Sequence, residues 1–168
     1  DFAVQLCPED GVNTMLARLD PAELIFPQDR DLPIDQTMSS MCFTPQAPIL
    51  FDSARARQVL QDFYAVASLD CMGDFNRAMV SAAGALLAYI ETTQIGNMPR
   101  LRALRQITES GLVEIDAATR RSLELTRTLT GESRGSLLHA VDRTLTAAGG
   151  RLLSERLAAP LSELAAID

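Results

Sequence analysis

The chain has 168 residues, of which 47% are hydrophobic, 22% charged and only 5% aromatic, with no Trp. That composition suits one ordinary folded domain or two small ones, and it excludes a disordered chain. The net charge of −7 argues against a surface that grips nucleic acid by itself, and no stretch approaches the roughly 20 apolar residues of a membrane span.

The charge is uneven. Residues 1–94 hold 13 Asp/Glu against 5 Arg, and residues 95–168 hold 9 against 10. Two regions with different surfaces are expected, dividing near Gln94–Gly96. Cys7, Cys42 and Cys71 are far apart and form no CxxC pair, and His139 alone cannot complete a zinc site with them. They read as reduced, mostly buried thiols of a cytoplasmic protein. No basic segment followed by an apolar one opens the chain. It begins with Asp1, and the expectation is a piece of a longer protein.

Asp1–Cys7 alternates, with Phe2, Val4 and Leu6 on one side, and reads as a strand. Val12, Met15, Leu16 and Leu19 follow the helical period, and Asp20-Pro21 stops that helix. Ala22–Phe26 is a second strand, so the order suggests an α/β unit. Pro27–Pro48 holds four prolines and reads as a loop with one short strand at Ser40–Phe43. Ile49–Phe51 is a further strand candidate. Asp52 or Ser53 caps a helix whose apolar positions are Ala56, Val59, Leu60 and Phe63. Arg55, Gln58 and Asp62 face the other way.

Leu69–Asn76 reads as a connector. Arg77–Thr93 is Ala-rich and apolar nearly all round, hence a buried helix. Gly84 inside it calls for a close neighbour, because glycine there costs about 1 kcal/mol against alanine. Gly96-Asn97-Met98-Pro99 breaks the helix, and Leu112–Ile115 is extended. Asp116 is an N-cap for a helix expected to run to Thr130-Gly131. On it Leu123, Leu125 and Leu129 face inward, while Arg120, Arg121, Glu124 and Arg127 lie outside and Glu124 meets Arg127. Ser136 caps the next turn, where Leu137, Leu138 and Val141 pack. Thr146 caps a helix over Ala147–Ala158, with Leu145, Leu152, Leu153 and Leu157 as its apolar face. Gly149-Gly150 does not make a phosphate loop, which needs GxxxxGK[ST], and the chain has no lysine. No constellation of nucleophile, base and orienting group can be placed, and the acidic residues are dispersed.

The series IDAATRRSLEL, TGESRGSLL and VDRTLTAAGGRLLSERLAAPL resembles the start of the core domain of MutS-family DNA mismatch-repair proteins. That family shows a hydrophobic residue and DAATRRNLEL, then SLLxxLDxTxTxxGxRLLxxWLxxPL. The resemblance rests on Asp116, Thr119, Arg120, Arg121, Asp142, Thr144, Thr146, Gly149, Arg151 and Pro160, which read as structural. Ser122, Ala147-Ala148 and Arg156 stand where the family commonly has Asn, Pro-Met and Trp. Upstream, ARLDPAEL, FDSARARQVLQDFYAVASLD and SAAGALLAYIETTQ resemble the family's connector domain more loosely, and Cys71-Met72-Gly73-Asp74 departs from its usual Gly-Phe-Gly turn.

The resemblance implies an α/β region followed by an all-α region. Residues 1–94 would be an incomplete ribonuclease H-like connector domain, and 95–168 the first helices of the core or lever domain. It implies a non-catalytic part of a mismatch-recognition ATPase, one that links mismatch reader, clamp and ATPase and passes on conformational change. This part would hold no cofactor; ATP and magnesium would belong to the parent. The implied partners are the remaining MutS domains, a MutL-family protein, mismatched DNA through the parent, and a second parent copy in a homodimer, with no membrane. Arg55, Gln58 and Asp62 would form the MutL-facing surface. Arg120, Arg121 and Arg127 read as surface or interdomain salt links. The other reading is a free-standing α/β-plus-helical protein-interaction adaptor that shares only the motif.

Overall fold

A computed structural model describes residues 1–34, 41–96, 98–107, 112–113, 115–163 and 167. Its strands are β1 (Ala3–Gln5), β2 (Glu23–Pro27), β3 (Cys42–Gln46) and β4 (Arg105–Ile107). Its helices are α1 (Val12–Leu19), α2 (Ser53–Tyr64), α3 (Arg77–Thr93), α4 (Ala117–Ser122), α5 (Leu137–Val141) and α6 (Ala147–Ala158). The chain forms two compact units. Unit 1 comprises Asp1–Cys7, Ala22–Leu32 and Met41–Thr108; unit 2 comprises Pro8–Pro21, Pro33–Ser40 and Glu109–Asp168. Thus α1, which lies between β1 and β2 in sequence, belongs to unit 2.

Unit 1 contains all four strands. They form two parallel pairs, β1 with β4 (Ala3 opposite Arg105) and β2 with β3 (Glu23 opposite Cys42). Parallel neighbours require a long crossover, and here α2 and α3 lie within it for the first pair. Phe2 and Val4 are buried as the alternation predicts, but Leu6 is 57% exposed because β1 stops at Gln5, two residues before Cys7-Pro8. The strand expected at Ser40–Phe43 is displaced to Cys42–Gln46, and Ser40 itself lies outside the described residues. Ile49–Phe51 is not a strand. Pro48–Phe51 forms a 3-10 turn with Pro48 at its start, where the fixed φ of proline suits a helical turn.

That turn delivers Asp52, whose Oδ1 accepts from the backbone N of Arg55 at 2.8 Å and caps α2. The helix ends at Ala65 in the left-handed region (φ 52), with Ala65 N and Val66 N donating to the carbonyls of Asp62 and Gln61. Asn76 caps α3 by accepting from Met79 N at 2.9 Å. The Ser81 hydroxyl donates to the Phe51 carbonyl, and Tyr64 OH to that of Arg102 at 2.7 Å. The core lies between α2, α3 and β1: Ala56, Leu60, Met79, Val80, Ala83 and Leu87 pack with Phe2, Val4, Leu69, Phe75 and Leu104. Each fully buried leucine contributes roughly 1.5–3 kcal/mol.

Among its described residues, unit 2 has helices and turns and one antiparallel bridge, between Leu112 and Leu161. Its buried apolar side chains, among the described residues, are Leu16, Leu125 and Ala158. The helix expected to run from Asp116 to Thr130 ends at Ser122. Glu124 adopts a left-handed φ of 47, so the chain leaves the helix and continues as turns. Three observations correct the sequence reading. Leu123 and Leu129 are exposed while Leu125 is buried. Glu124 does not meet Arg127; its Oε1 accepts from Leu129 N at 2.7 Å. Leu145 is fully exposed and Leu152 half-exposed, so the apolar face of α6 is narrower than expected. Leu137 and Val141 are likewise exposed, while Leu138 is half-buried. The thiols also differ from expectation: Cys7 is half-buried, and Cys42 and Cys71 are exposed.

Candidate functional site

The ten motif residues lie in unit 2 and form two capped turns. At the first, Asp116 is extended (φ −63, ψ 162), and its Oδ1 accepts from Ala118 N at 2.9 Å and Thr119 N at 3.0 Å. Its Oδ2 accepts from the Thr119 hydroxyl at 2.6 Å. The Thr119 hydroxyl, then the backbone N–H groups, hold the Asp116 carboxyl below its ordinary pKa. The second turn is built the same way. Asp142 Oδ1 accepts from Thr144 N at 2.8 Å, and Thr144, through its N–H and then its hydroxyl, lowers the Asp142 pKa. Thr146 Oγ1 accepts from Gly149 N at 3.1 Å and starts α6.

Gly149 sits in tight space at this turn. A Cβ there would lie 3.2 Å from Thr144 Cβ and 3.3 Å from Thr146 Oγ1. Pro160 ends the stretch just after α6, and its carbonyl accepts from Val113 N at 2.8 Å, joining the exit of the motif to its entrance. Arg121 and Arg151 are exposed. Arg127 donates from Nε to Asp20 Oδ2 at 3.0 Å and from Nη1 to the Gly131 carbonyl at 3.2 Å. Its salt link therefore lies inside unit 2. Ser136 is buried, donates to the Ser133 carbonyl at 2.7 Å and caps α5 through His139 N at 3.2 Å. The His139 side chain is exposed.

Arg120 is the exception to the sequence reading. It was expected outside, yet it is 7% exposed. The helical period alone assigns it to the face of Glu124, but α4 is only six residues long, and its contact with α1 covers this position. No sequence signal pointed to that contact.

In unit 1, Arg55, Gln58 and Asp62 are exposed along one side of α2. The structure brings two of them together: Gln58 Nε2 donates to Asp62 Oδ1 at 2.8 Å. A second polar cluster had no sequence signal. Glu23 Oε1 on β2 accepts from Thr44 Oγ1 on β3 at 2.5 Å and from Tyr89 OH on α3 at 2.6 Å. Thr44, then Tyr89, lower the Glu23 pKa, while Glu23 raises that of Tyr89. The cluster ties strand pair to helix, and the Cys42 thiol on β3 lies 3.8 Å from Thr44 Oγ1 at its edge. Among the described residues no three metal-ligating side chains converge, and no helix is long and apolar enough to cross a membrane.

The described residues thus form an α/β unit and a capped helical unit in one chain. Residues 1–102 match the family model for MutS domain II, and residues 118–168 match that for MutS domain III. The chain belongs to the MutS family. It is 46% identical over 168 residues to a DNA mismatch repair protein MutS of Cereibacter sphaeroides, covering 99% of this chain and 19% of that protein. Identity to the proteins of the same name from Azorhizobium caulinodans and Roseobacter denitrificans is 45% over 170 residues and 43% over 167, covering 99% and 98% of this chain. The chain thus spans about a fifth of the length of the curated relatives it matches.

Proposed function

We propose that this chain is a non-catalytic, mechanical part of a MutS-type mismatch-recognition ATPase. Residues 1–94 would be the connector and 95–168 the start of the core or lever. The single observation that carries the reading is the order of the two family matches, domain II then domain III, along one chain. The rigid parts fit a transmitting role. Helices locked by side-chain caps and a tightly packed α2–α3 pair move as bodies, as a two-state rearrangement requires. The parallel strand pairs flanked by α2 and α3 support a ribonuclease H-like connector. The adaptor reading has less support, because the similarity to mismatch-repair proteins spans 99% of the chain and not the motif alone.

ATP and magnesium would act elsewhere in the parent. The chain has no lysine and no GxxxxGK[ST] stretch, so its residues do not fit a nucleotide phosphate cradle. The parent would work in the cytoplasm as a homodimer on mismatched DNA. Its connector would meet a MutL-family protein through Arg55, Gln58 and Asp62.

Two measurements test this. The 168-residue chain should neither hydrolyse ATP nor prefer a G·T duplex over a G·C duplex in fluorescence anisotropy; tight, mismatch-specific binding would overturn the module assignment. In a full-length protein carrying this sequence, Arg55→Glu with Asp62→Arg should weaken capture of the MutL-family partner and leave mismatch affinity unchanged. Unchanged capture would remove α2 from the partner surface.

A further inference from the structure

The side chain of Arg120 lies inside unit 2, and its surroundings do not satisfy it. Nη2 donates to the Ile115 carbonyl at 3.5 Å, the outer limit of a hydrogen bond. Nε and Nη1 are buried and have no hydrogen-bond partner among the described residues. The carboxylates that end α1 and begin α4 are engaged elsewhere: Asp20 with Arg127, and Asp116 with Ala118 N, Thr119 N and the Thr119 hydroxyl. Arg18, on the facing helix α1, adds a second positive charge. Burial first, and then Arg18, disfavour the charged form of Arg120. A guanidinium nevertheless keeps its proton in a protein. A buried, unpaired charge is among the least favourable arrangements a fold can hold, and an uncharged hydrophobic isostere at the same place is often more stable.

Neutral acceptors would satisfy the N–H groups but leave the charge. An oxyanion meets both needs, since charge-assisted N–H···O bonds are roughly twice as strong as neutral ones. We propose that Arg120 is the centre of an oxyanion site at the α1–α4 seam of unit 2, completed by a carboxylate of the longer MutS-family polypeptide or by free phosphate. The phosphate source is independent of the mechanical role proposed above, and the carboxylate source needs only the family membership.

The test compares melting temperatures of the 168-residue chain and its Arg120→Met variant, in chloride and in inorganic phosphate at matched pH and ionic strength. If free phosphate is the ligand, it raises the wild-type Tm several degrees more than that of the variant; the variant cancels the general effect of salt. If a protein carboxylate is the ligand, phosphate shifts both equally. Arg120→Met then raises the Tm of the 168-residue chain but lowers that of a full-length MutS-family protein carrying this sequence. Equal phosphate shifts with any other pattern overturn the proposal. A variant that lowers Tm in both proteins means that Arg120 is already satisfied within the chain; one that raises both means that no anion reaches it. Should Arg120→Met fail to fold, Arg120→Lys keeps the charge, lacks the planar donors, and should lose most of the phosphate-specific shift.

Discussion

A Cβ placed on Gly84 would lie 2.4 Å from the Cβ of Ala56 and 2.6 Å from its Cα. The second distance is to backbone, which no rotamer change can relieve. Helices α2 and α3 therefore cross at their closest where both side chains are minimal. Gly84→Ala should destabilise unit 1 by up to roughly 2 kcal/mol: overpacking costs about 1–3 kcal/mol, at the upper end here because the clash is with backbone, against the roughly 1 kcal/mol gained in helix propensity. Urea unfolding checks the sign. A neutral or stabilising Gly84→Ala contradicts the close packing, and Ala56→Gly in the same chain should recover part of the loss through direct coupling.

Leu60 and Leu145 both look like core residues in sequence, yet Leu60 is 0% exposed and Leu145 is 100% exposed. Leu60→Ala should cost about 2–5 kcal/mol by removing contacts and leaving a cavity. Leu145→Ala should stay within about 0.5 kcal/mol of wild type. Denaturant midpoints on the two variants decide this, and equal effects would refute the burial of one or the exposure of the other.

Asp116 and Asp142 carry pH dependence of a defined sign. Both have folded pKa values held below the unfolded ones. Their stabilisation is fully present above the ordinary aspartate pKa of about 3.9 and is lost as pH falls through the depressed values. Asp116→Ala should lower the melting temperature at pH 7 and make little difference at the acid end of the transition. A difference that persists undiminished to low pH would show that the carboxylate charge is not the cause.

The cluster of Glu23, Thr44 and Tyr89 makes a spectroscopic prediction. Two hydroxyl donors lower the Glu23 pKa, so its stabilising effect holds above the unfolded glutamate pKa and fades as pH drops through the folded one. Thr44→Val and Tyr89→Phe should each move the Glu23 titration, followed by carboxyl NMR shifts, upward toward its ordinary value. Thr44→Val should have the larger effect. An unmoved titration in both variants rules out the shared acceptor.

The regular parts were legible because local chemistry determines them. Asp52, Asp116, Ser136 and Thr146 announce helix starts through their own side chains, and Gly84 announces a close neighbour, which is Ala56. The failures share a cause in tertiary context. Nothing in the order of residues 117–129 says that Glu124 takes a left-handed φ, and that one torsion reassigns Leu123, Leu129 and Arg127. The burial of Arg120 depends on α1, about a hundred positions earlier in the chain. Ile49–Phe51 has the composition of a strand, and only the preceding Pro48 hinted at a helical turn. The Glu23 cluster draws on three separate elements, so no spacing rule could find it.

The pairing of β1 with β4 sets an order of events during synthesis. Among the described residues the strand partner of Ala3 is Arg105, which leaves the ribosome about a hundred residues later. At about 5–20 residues per second that wait is on the order of 5–20 s. Phe2 and Val4, both destined for the core, stay uncovered until α2 and α3 emerge, and the edge of β1 stays open until β4 follows, the kind of surface on which nascent chains associate. The last step in building unit 1 is therefore the return of its end to its beginning, a closure over more than half the chain, which makes this pairing a slow event in folding.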